Sequence, residues 1–376
     1  MKLKKIGAPL AVLTAAALSL TACAGNEGTA PAPAPANTAG GGDTSAPAPA
    51  STLSGTLAGR GASSMSVAQQ TWIAGFQTAN ADVTINYSPD GSGAGRESFT
   101  SGAVDFAGSD RAFKDDEMGA GKFGSCTAES NALNLPVYIS PIAIIFNVEG
   151  VDKLQLDADT VAGIFAGKIT NWNDPAIAAT NSGVTFPDAP ITAVHRSDDS
   201  GTTENFTDYL SQAAPSVWTE EADGEWPAAF GGESAQGTAG VVDAVTGGTN
   251  TIGYADASQA GDLGTVEVKS GDVFVGPTAE DAAKLVDNSP VVEGRGEHDY
   301  ALELDRKAEG AYPIALVAYA MVCEDYKDDA KAELVKAYME YMISDEGQKA
   351  AQAAAGNAPI SADMQSKLKA AVDSIS

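Results

Sequence analysis

Residues 196–203 read Arg-Ser-Asp-Asp-Ser-Gly-Thr-Thr, a fork-shaped cation followed by hydroxyls and a glycine where a helical pattern begins. Three other segments share the design of small residues and hydroxyls at the end of an extended run. They are Gly61-Ala62-Ser63-Ser64, Gly91-Ser92-Gly93-Ala94-Gly95 and Gly108-Ser109-Asp110. A helix N-terminus presents unpaired N–H groups and a partial positive charge, so such segments hold oxyanions. Glycine lets the backbone approach the guest closely. One segment of this kind is ordinary N-capping; four, with Arg196 on one of them, form a constellation. Gly91–Gly95 lacks the Lys of a nucleotide phosphate loop and the spacing of a dinucleotide fingerprint, so a nucleotide is a poor guest. His195 beside Ser197 and Ser200 raises the alternative of a general base and a serine nucleophile, but no separate acidic residue is placed to orient the imidazole.

These segments need strands and helices to position them. Residues 83–87 alternate as a strand, and 105–108 form a short one. Residues 65, 68, 72, 73 and 76 are apolar, one face of a helix. Helices are also predicted over 160–166, 203–210, 237–245 and 328–342. Residues 137–148 form a long extended run containing Pro141, which suits a strand at an edge or one that crosses between domains. Strands alternating with helices indicate an α/β protein.

Lys2, Lys4 and Lys5 precede an apolar run over 10–20 and the ending Leu20-Thr21-Ala22-Cys23. This is the layout of a signal peptide over 1–22, too short to span a membrane. The ending resembles the lipobox of bacterial lipoproteins, which implies that Cys23 is the first mature residue and carries the lipid. More than one acyl chain gives stable anchoring at the outer face of the cell membrane. Residues 23–52, after Cys23, are dominated by Ala, Pro, Gly, Thr and Ser, hold no large apolar side chain, and read as a disordered tether. Without the leader, 22 basic residues become 19 against 50 acidic ones, a net charge of −31. That excludes nucleic acid as a natural partner, and any anion site must work through local dipoles and placed cations. In an exported protein the remaining Cys126 and Cys323 are expected to pair. Two histidines and no close cysteine pair leave no metal-ligand spacing, and no cofactor is expected.

The four segments, in this order, resemble the phosphate-binding component of the high-affinity phosphate ABC importer, the PstS family. So do Thr160-Val161-Ala162-Gly163-Ile164-Phe165-Ala166-Gly167-Lys168-Ile169-Thr170-Asn171-Trp172, Gly253-Tyr254 and Tyr312-Pro313-Ile314. The resemblance covers nearly everything after residue 53. It implies a two-lobed periplasmic-binding-protein fold of type II character with two crossovers and the ligand between the lobes. Lobe one would combine 53–137 with 313–376, and lobe two would be 138–312. Cys126 and Cys323 would then staple one lobe.

For the site, the resemblance implies backbone donors at Ser63 and Ser64, with the Ser63 hydroxyl, and both hydroxyl and amide at Ser92. Arg196 supplies the positive charge and Asp198 holds it bidentately. Ser200, Gly201 and Thr202 complete the cage. Asp110 accepts the proton that phosphate retains at neutral pH; sulfate has none and would meet a bare like charge. Three positions depart from the family pattern: Ser64 for Phe, Gly93 for Ser, and Asp199 for Gly, the last adding a carboxylate expected to weaken affinity. The function implied is capture of phosphate and delivery to membrane permease subunits, without catalysis. Capture of sulfate or molybdate, and a secreted serine hydrolase or phosphatase, are the competing readings.

Overall fold

The computed structural model describes residues 52–376, and within these the chain from residue 52 forms part of one unit, Ala50–Ser376. The readings for 1–22, Cys23 and nearly all of the 23–52 tether lie outside the described residues. No described helix is long and apolar enough to cross a membrane.

The chain opens with β1 (Gly55–Gly61), α1 (Ser66–Ala79), β2 (Val83–Ser88), α2 (Ser92–Ser101) and β3 (Phe106–Ser109). After the long β4 (Ala132–Asn147) come β5 (Leu154–Leu156), α3 (Ala158–Phe165), α4 (Pro175–Thr180) and β6 (Thr192–Arg196). Then follow α5 (Gly201–Ala213), β7 (Glu233–Ala235), α6 (Gly237–Gly247) and β8 (Thr251–Asp256), with a single 3-10 turn at Ala257–Gln259. The remainder is β9 (Gly264–Ser270), β10 (Val273–Val275), α7 (Ala279–Asp287), β11 (Ala315–Cys323), α8 (Asp329–Ile343), α9 (Asp345–Ala355) and α10 (Ala362–Ser374). Each helix predicted from sequence is present with ends shifted by a few residues, because caps decide the ends. Asp157, for example, accepts from the Thr160 N–H and starts α3 two residues before its predicted start.

The main path of strands runs β2-β1-β3-β11-β4-β8-β6-β7. Its first part is parallel through β1, β2 and β3, and β11 enters antiparallel to both β3 and β4. Every residue of β4 except Asn147 is buried, so it is a central strand and not an edge. It pairs with β11 as far as Pro141, then with β8 from Ile142 onward. Proline cannot serve a ladder on its own N–H, and it sits where the strand exchanges one partner for the other. β4 thus joins a β1–β3 half to a β6–β8 half, the crossing expected of residues 137–148.

Aromatic packing fixes each half. In the first, Phe76, Phe106 and Tyr338 meet edge-on, with centroids 5.4 and 5.6 Å apart about Tyr338. In the second, Phe165, Phe206, Trp226 and Tyr254 cluster beneath the end of β6. A disulfide joins Cys126 to Cys323 across 197 residues of sequence, tying the chain after β3 to the end of β11.

Candidate functional site

The first half of the site is built where β1 and β3 end side by side, with Gly61 opposite Gly108. Gly61 has φ +144°, and a Cβ there would lie 1.9 Å from the Gly108 carbonyl oxygen, so the close approach requires glycine. The Ala62 N–H donates to the Gly108 carbonyl at 2.8 Å, and the Gly91 N–H to that of Gly61 at 2.9 Å. Three loops are thereby stitched into one platform. From it rises Asp110, 3 % exposed. Its Oδ1 accepts from the Ser64 hydroxyl at 2.5 Å and its Oδ2 from the Thr202 hydroxyl at 2.8 Å. Its own N–H donates to Ser92 Oγ at 3.1 Å. Burial pushes the Asp110 carboxyl above its ordinary value, against the opposing pull of both hydroxyls and of Arg196 and Arg96.

The second half is built at the end of β6, which delivers Arg196, 2 % exposed. Its Nε donates to Asp198 Oδ1 at 2.8 Å and its Nη2 to Asp198 Oδ2 at 2.5 Å. The Gly237 N–H, at the start of α6, adds a bond to Asp198 Oδ1 at 3.0 Å. Partial burial alone would raise the Asp198 carboxyl; the guanidinium and the Gly237 amide outweigh it and hold it below the ordinary carboxylate value. Ser200 caps α5, its Oγ accepting from the Thr203 N–H at 3.2 Å. The Tyr254 hydroxyl lies 2.7 Å from Thr203 Oγ1 and accepts from the Arg196 N–H at 3.3 Å, locking the strand end to the helix start.

The halves meet directly. A Cβ on Gly201 would lie 2.7 Å from Asp110 Cβ and 2.8 Å from Ser92 Oγ. The Ser63 hydroxyl accepts from the Thr238 N–H at 3.1 Å and lies 3.0 Å from Thr238 Oγ1. Gln259 Nε2 donates to the carbonyls of Ser63 and Ser64 at 3.0 and 3.2 Å. The structure therefore places Ser63, Ser64, Ser92, Asp110, Arg196, Asp198, Ser200, Gly201 and Thr202 around one junction. Sequence reasoning missed Thr238, Gln259 and Tyr254. Gly237-Thr238 at the head of a predicted helix was the available signal for the first; the other two come together only through the fold.

The chemistry of this junction follows from what is already occupied. Among the described residues, the N–H groups of Ser64, Ser92, Gly201 and Thr202 have no hydrogen-bond partner, and neither has Arg196 Nη1. The oxygens of Ser92 and Ser200 already accept, so their hydroxyl protons can be donated elsewhere. The unengaged groups are amide and hydroxyl donors and one free guanidinium arm, that of Arg196, around the buried carboxylate of Asp110. Together they match an oxyanion that still bears one proton. His195 is engaged differently: its ring stacks on Trp226 with centroids 4.7 Å apart, and its Nδ1 donates to the Arg196 carbonyl at 2.8 Å. Burial lowers its pKa, and no hydrogen bond links it to Ser197 or Ser200. Of the aromatic segment, Trp218 is core, 1 % exposed, and the half-buried Trp226 and Phe230 pack against it.

The pattern of the family described as PBP superfamily domain matches residues 46–346. The chain is 34% identical over 389 aligned positions to the phosphate-binding protein PstS 3 of Mycobacterium tuberculosis, covering 100% of both chains. It is similar in fold to a phosphate-binding protein from Stenotrophomonas maltophilia, with TM-score 0.65, 20% identity and coverage of 84% of this chain and 93% of that one. A phosphate ABC transporter substrate-binding protein from Clostridium perfringens, with bound phosphate, matches at TM-score 0.56 and 21% identity, covering 79% and 96%. The fold is thus the two-lobed one of periplasmic binding proteins. On full-length identity and the family pattern together, the chain belongs to the PBP superfamily and, within it, to the PstS phosphate-binding proteins.

Proposed function

We propose that this protein captures inorganic phosphate outside the cytoplasm and delivers it to the permease of an ABC importer. The observation that carries this reading is Asp110, a buried carboxylate held by two hydroxyls and surrounded by unpartnered amides and Arg196. Ser64, Ser92, Gly201, Thr202 and Arg196 donate to the phosphate oxygens, and Asp110 accepts the remaining proton. Asp198 orients the guanidinium and does not touch the guest. Ser63 contributes its amide; its hydroxyl serves the guest only when Thr238 donates to it. Residues 53–137 with 313–376 form one lobe and 138–312 the other, so that closing expels water from the guest. Binding involves no bond making, and the protein is a carrier rather than an enzyme. Cys23 bears the lipid, and the chain up to residue 52 tethers the body above the membrane, raising its effective concentration at the permease.

Discrimination follows from the protonation of Asp110. While ionised it rewards a guest with a proton and repels sulfate. As pH falls through its raised pKa, Asp110 takes up a proton of its own, becomes a donor, and the penalty on sulfate fades. The decisive experiment is calorimetry on ligand-stripped protein with phosphate, arsenate and sulfate, repeated on Asp110→Asn. Wild type should bind phosphate and arsenate and ignore sulfate. The variant should lose at least about a hundredfold of its phosphate-over-sulfate preference. Retention of full preference in Asp110→Asn refutes the role given to this carboxylate, and wild type that prefers sulfate refutes the choice of guest.

A further inference from the structure

The carboxylate that Asp199 adds beside the site does not face the guest. Its Oδ1 and Oδ2 accept from Arg96 Nη2 at 3.2 and 3.0 Å. Arg96 lies on α2 in the β1–β3 half and Asp199 follows β6 in the other, so the pair crosses the cleft. Arg96 is 6 % exposed, and its Nη1 donates to Ser109 Oγ at 3.0 Å, beside Asp110. The Asp199 carbonyl also accepts from the Gly93 N–H at 3.1 Å, engaging the first turn of α2. Two glycines make room for the carboxylate. A Cβ on Gly93 would lie 2.1 Å from Asp199 Oδ2, and one on Gly224 would lie 2.2 Å from Oδ1. The two departures noted at positions 93 and 199 are one arrangement: the side chain gained at 199 occupies the volume vacated at 93.

We propose that Arg96 and Asp199 form a closure latch, a pair of positioning residues that holds the two lobes together over the guest and slows its release. The inference rests on the phosphate reading given above. With the lobes apart, Arg96 lacks this partner, and from its own half Asp110 and Glu117 act on it without a direct ion pair. Closure supplies Asp199, which neutralises Arg96 without placing a free charge against the guest. Burial depresses the Arg96 guanidinium, with Arg111 acting in the same sense, and Asp199 is foremost among the carboxylates that oppose this. The carboxylate expected from sequence to weaken binding therefore strengthens the closed state, because its charge is spent on Arg96.

Because Asp199 is 42 % exposed at its side chain, the pair is partly screened and its effect moderate. The test is stopped-flow measurement of phosphate association and release for wild type, Asp199→Ala, Arg96→Met and the double variant, with melting of the phosphate-free forms. Gly93→Ala is added because it obstructs the carboxylate while leaving both charged residues in place. Asp199→Ala and Gly93→Ala should each release phosphate about fivefold faster, with association little changed. The double variant should release no faster than Asp199→Ala alone, and the phosphate-free melting of Asp199→Ala should match wild type. Unchanged or slower release in Asp199→Ala, or additive effects in the double variant, overturns the latch even if Arg96→Met folds poorly. Wild type that binds no phosphate would refute the underlying function and the latch together; wild type that binds, with release unchanged in Asp199→Ala, refutes the latch alone.

Discussion

At the end of β3, Asp110 is almost wholly buried and held by the hydroxyls of Ser64 and Thr202; at the end of β6, Asp198 is gripped by Nε and Nη2 of Arg196 and an amide. The same functional group is raised in the first setting and lowered in the second. Asp110 is the more deeply buried and is bonded by neutral hydroxyls, whereas Asp198 is less buried and paired directly with a guanidinium, so burial wins at the first and loses at the second. One half of the site thus keeps a carboxylate receptive to a proton, while the other commits its carboxylate to aiming a cation. Two acids of like chemistry divide the labour because their neighbours differ.

The contrast breaks most severely if the guanidinium is removed. Arg196→Ala should lower phosphate affinity by roughly a thousandfold, since Asp198 is left without its partner and the guest without a full charge. Titration calorimetry checks it, with circular dichroism expected to match wild type. Unchanged affinity would dissolve the distinction between the two halves.

A third acid sharpens the role of burial. Asp256, at the end of β8, is fully buried; its Oδ1 accepts from Tyr138 at 3.0 Å and from the Ser258 N–H at 3.0 Å, while Oδ2 has no partner among the described residues. Burial pushes it to about 6, hydrogen bonds notwithstanding. A carboxyl raised in the folded state contributes stability that is fully present below its unfolded value, near ~3.9. That contribution is lost as pH rises through about 6. Between pH 4 and 7 wild type should therefore lose about 2–3 kcal/mol relative to Asp256→Asn. Urea unfolding of both proteins across that interval measures the difference; parallel curves would contradict it.

The smallest effect belongs to a hydroxyl. Ser64→Ala keeps the amide but removes one of the two donors on Asp110, at about 1 kcal/mol, or about fivefold in phosphate affinity. The variant should also carry a higher Asp110 pKa, so that sulfate begins to compete at a higher pH than in wild type. Competition titrations over pH would detect this, and an unshifted profile would show that Ser64 serves only through its backbone.

The parts legible in the sequence are those carried by contiguous residues. Arg196 and Asp198 stand two apart, and the glycine- and serine-rich segments announce strand ends and helix starts by composition alone. β4 was visible as one apolar run, and Pro141 marked its place of change, although burial on both sides makes it central. What escaped notice depends on contacts between distant segments. Thr238 meets Ser63 across 175 positions, and Gln259 reaches the Ser63 carbonyl across 196. In the sequence Asp199 is only a charge near an anion, because nothing local names Arg96, 103 positions earlier, as its partner. The sequence points only to the Ser64 amide; its hydroxyl acquires a role once β1 and β3 are set side by side.

β4 is an unbroken ribbon shared by the β1–β3 half and the β6–β8 half, so any change in the angle between them must be taken up by bending that ribbon, as in a leaf spring, rather than by turning about a loop. The Ile142 N–H donates to the Ile314 carbonyl at 2.6 Å, and the neighbouring Pro141 has no N–H to lose, so a bend there need not rupture the strand.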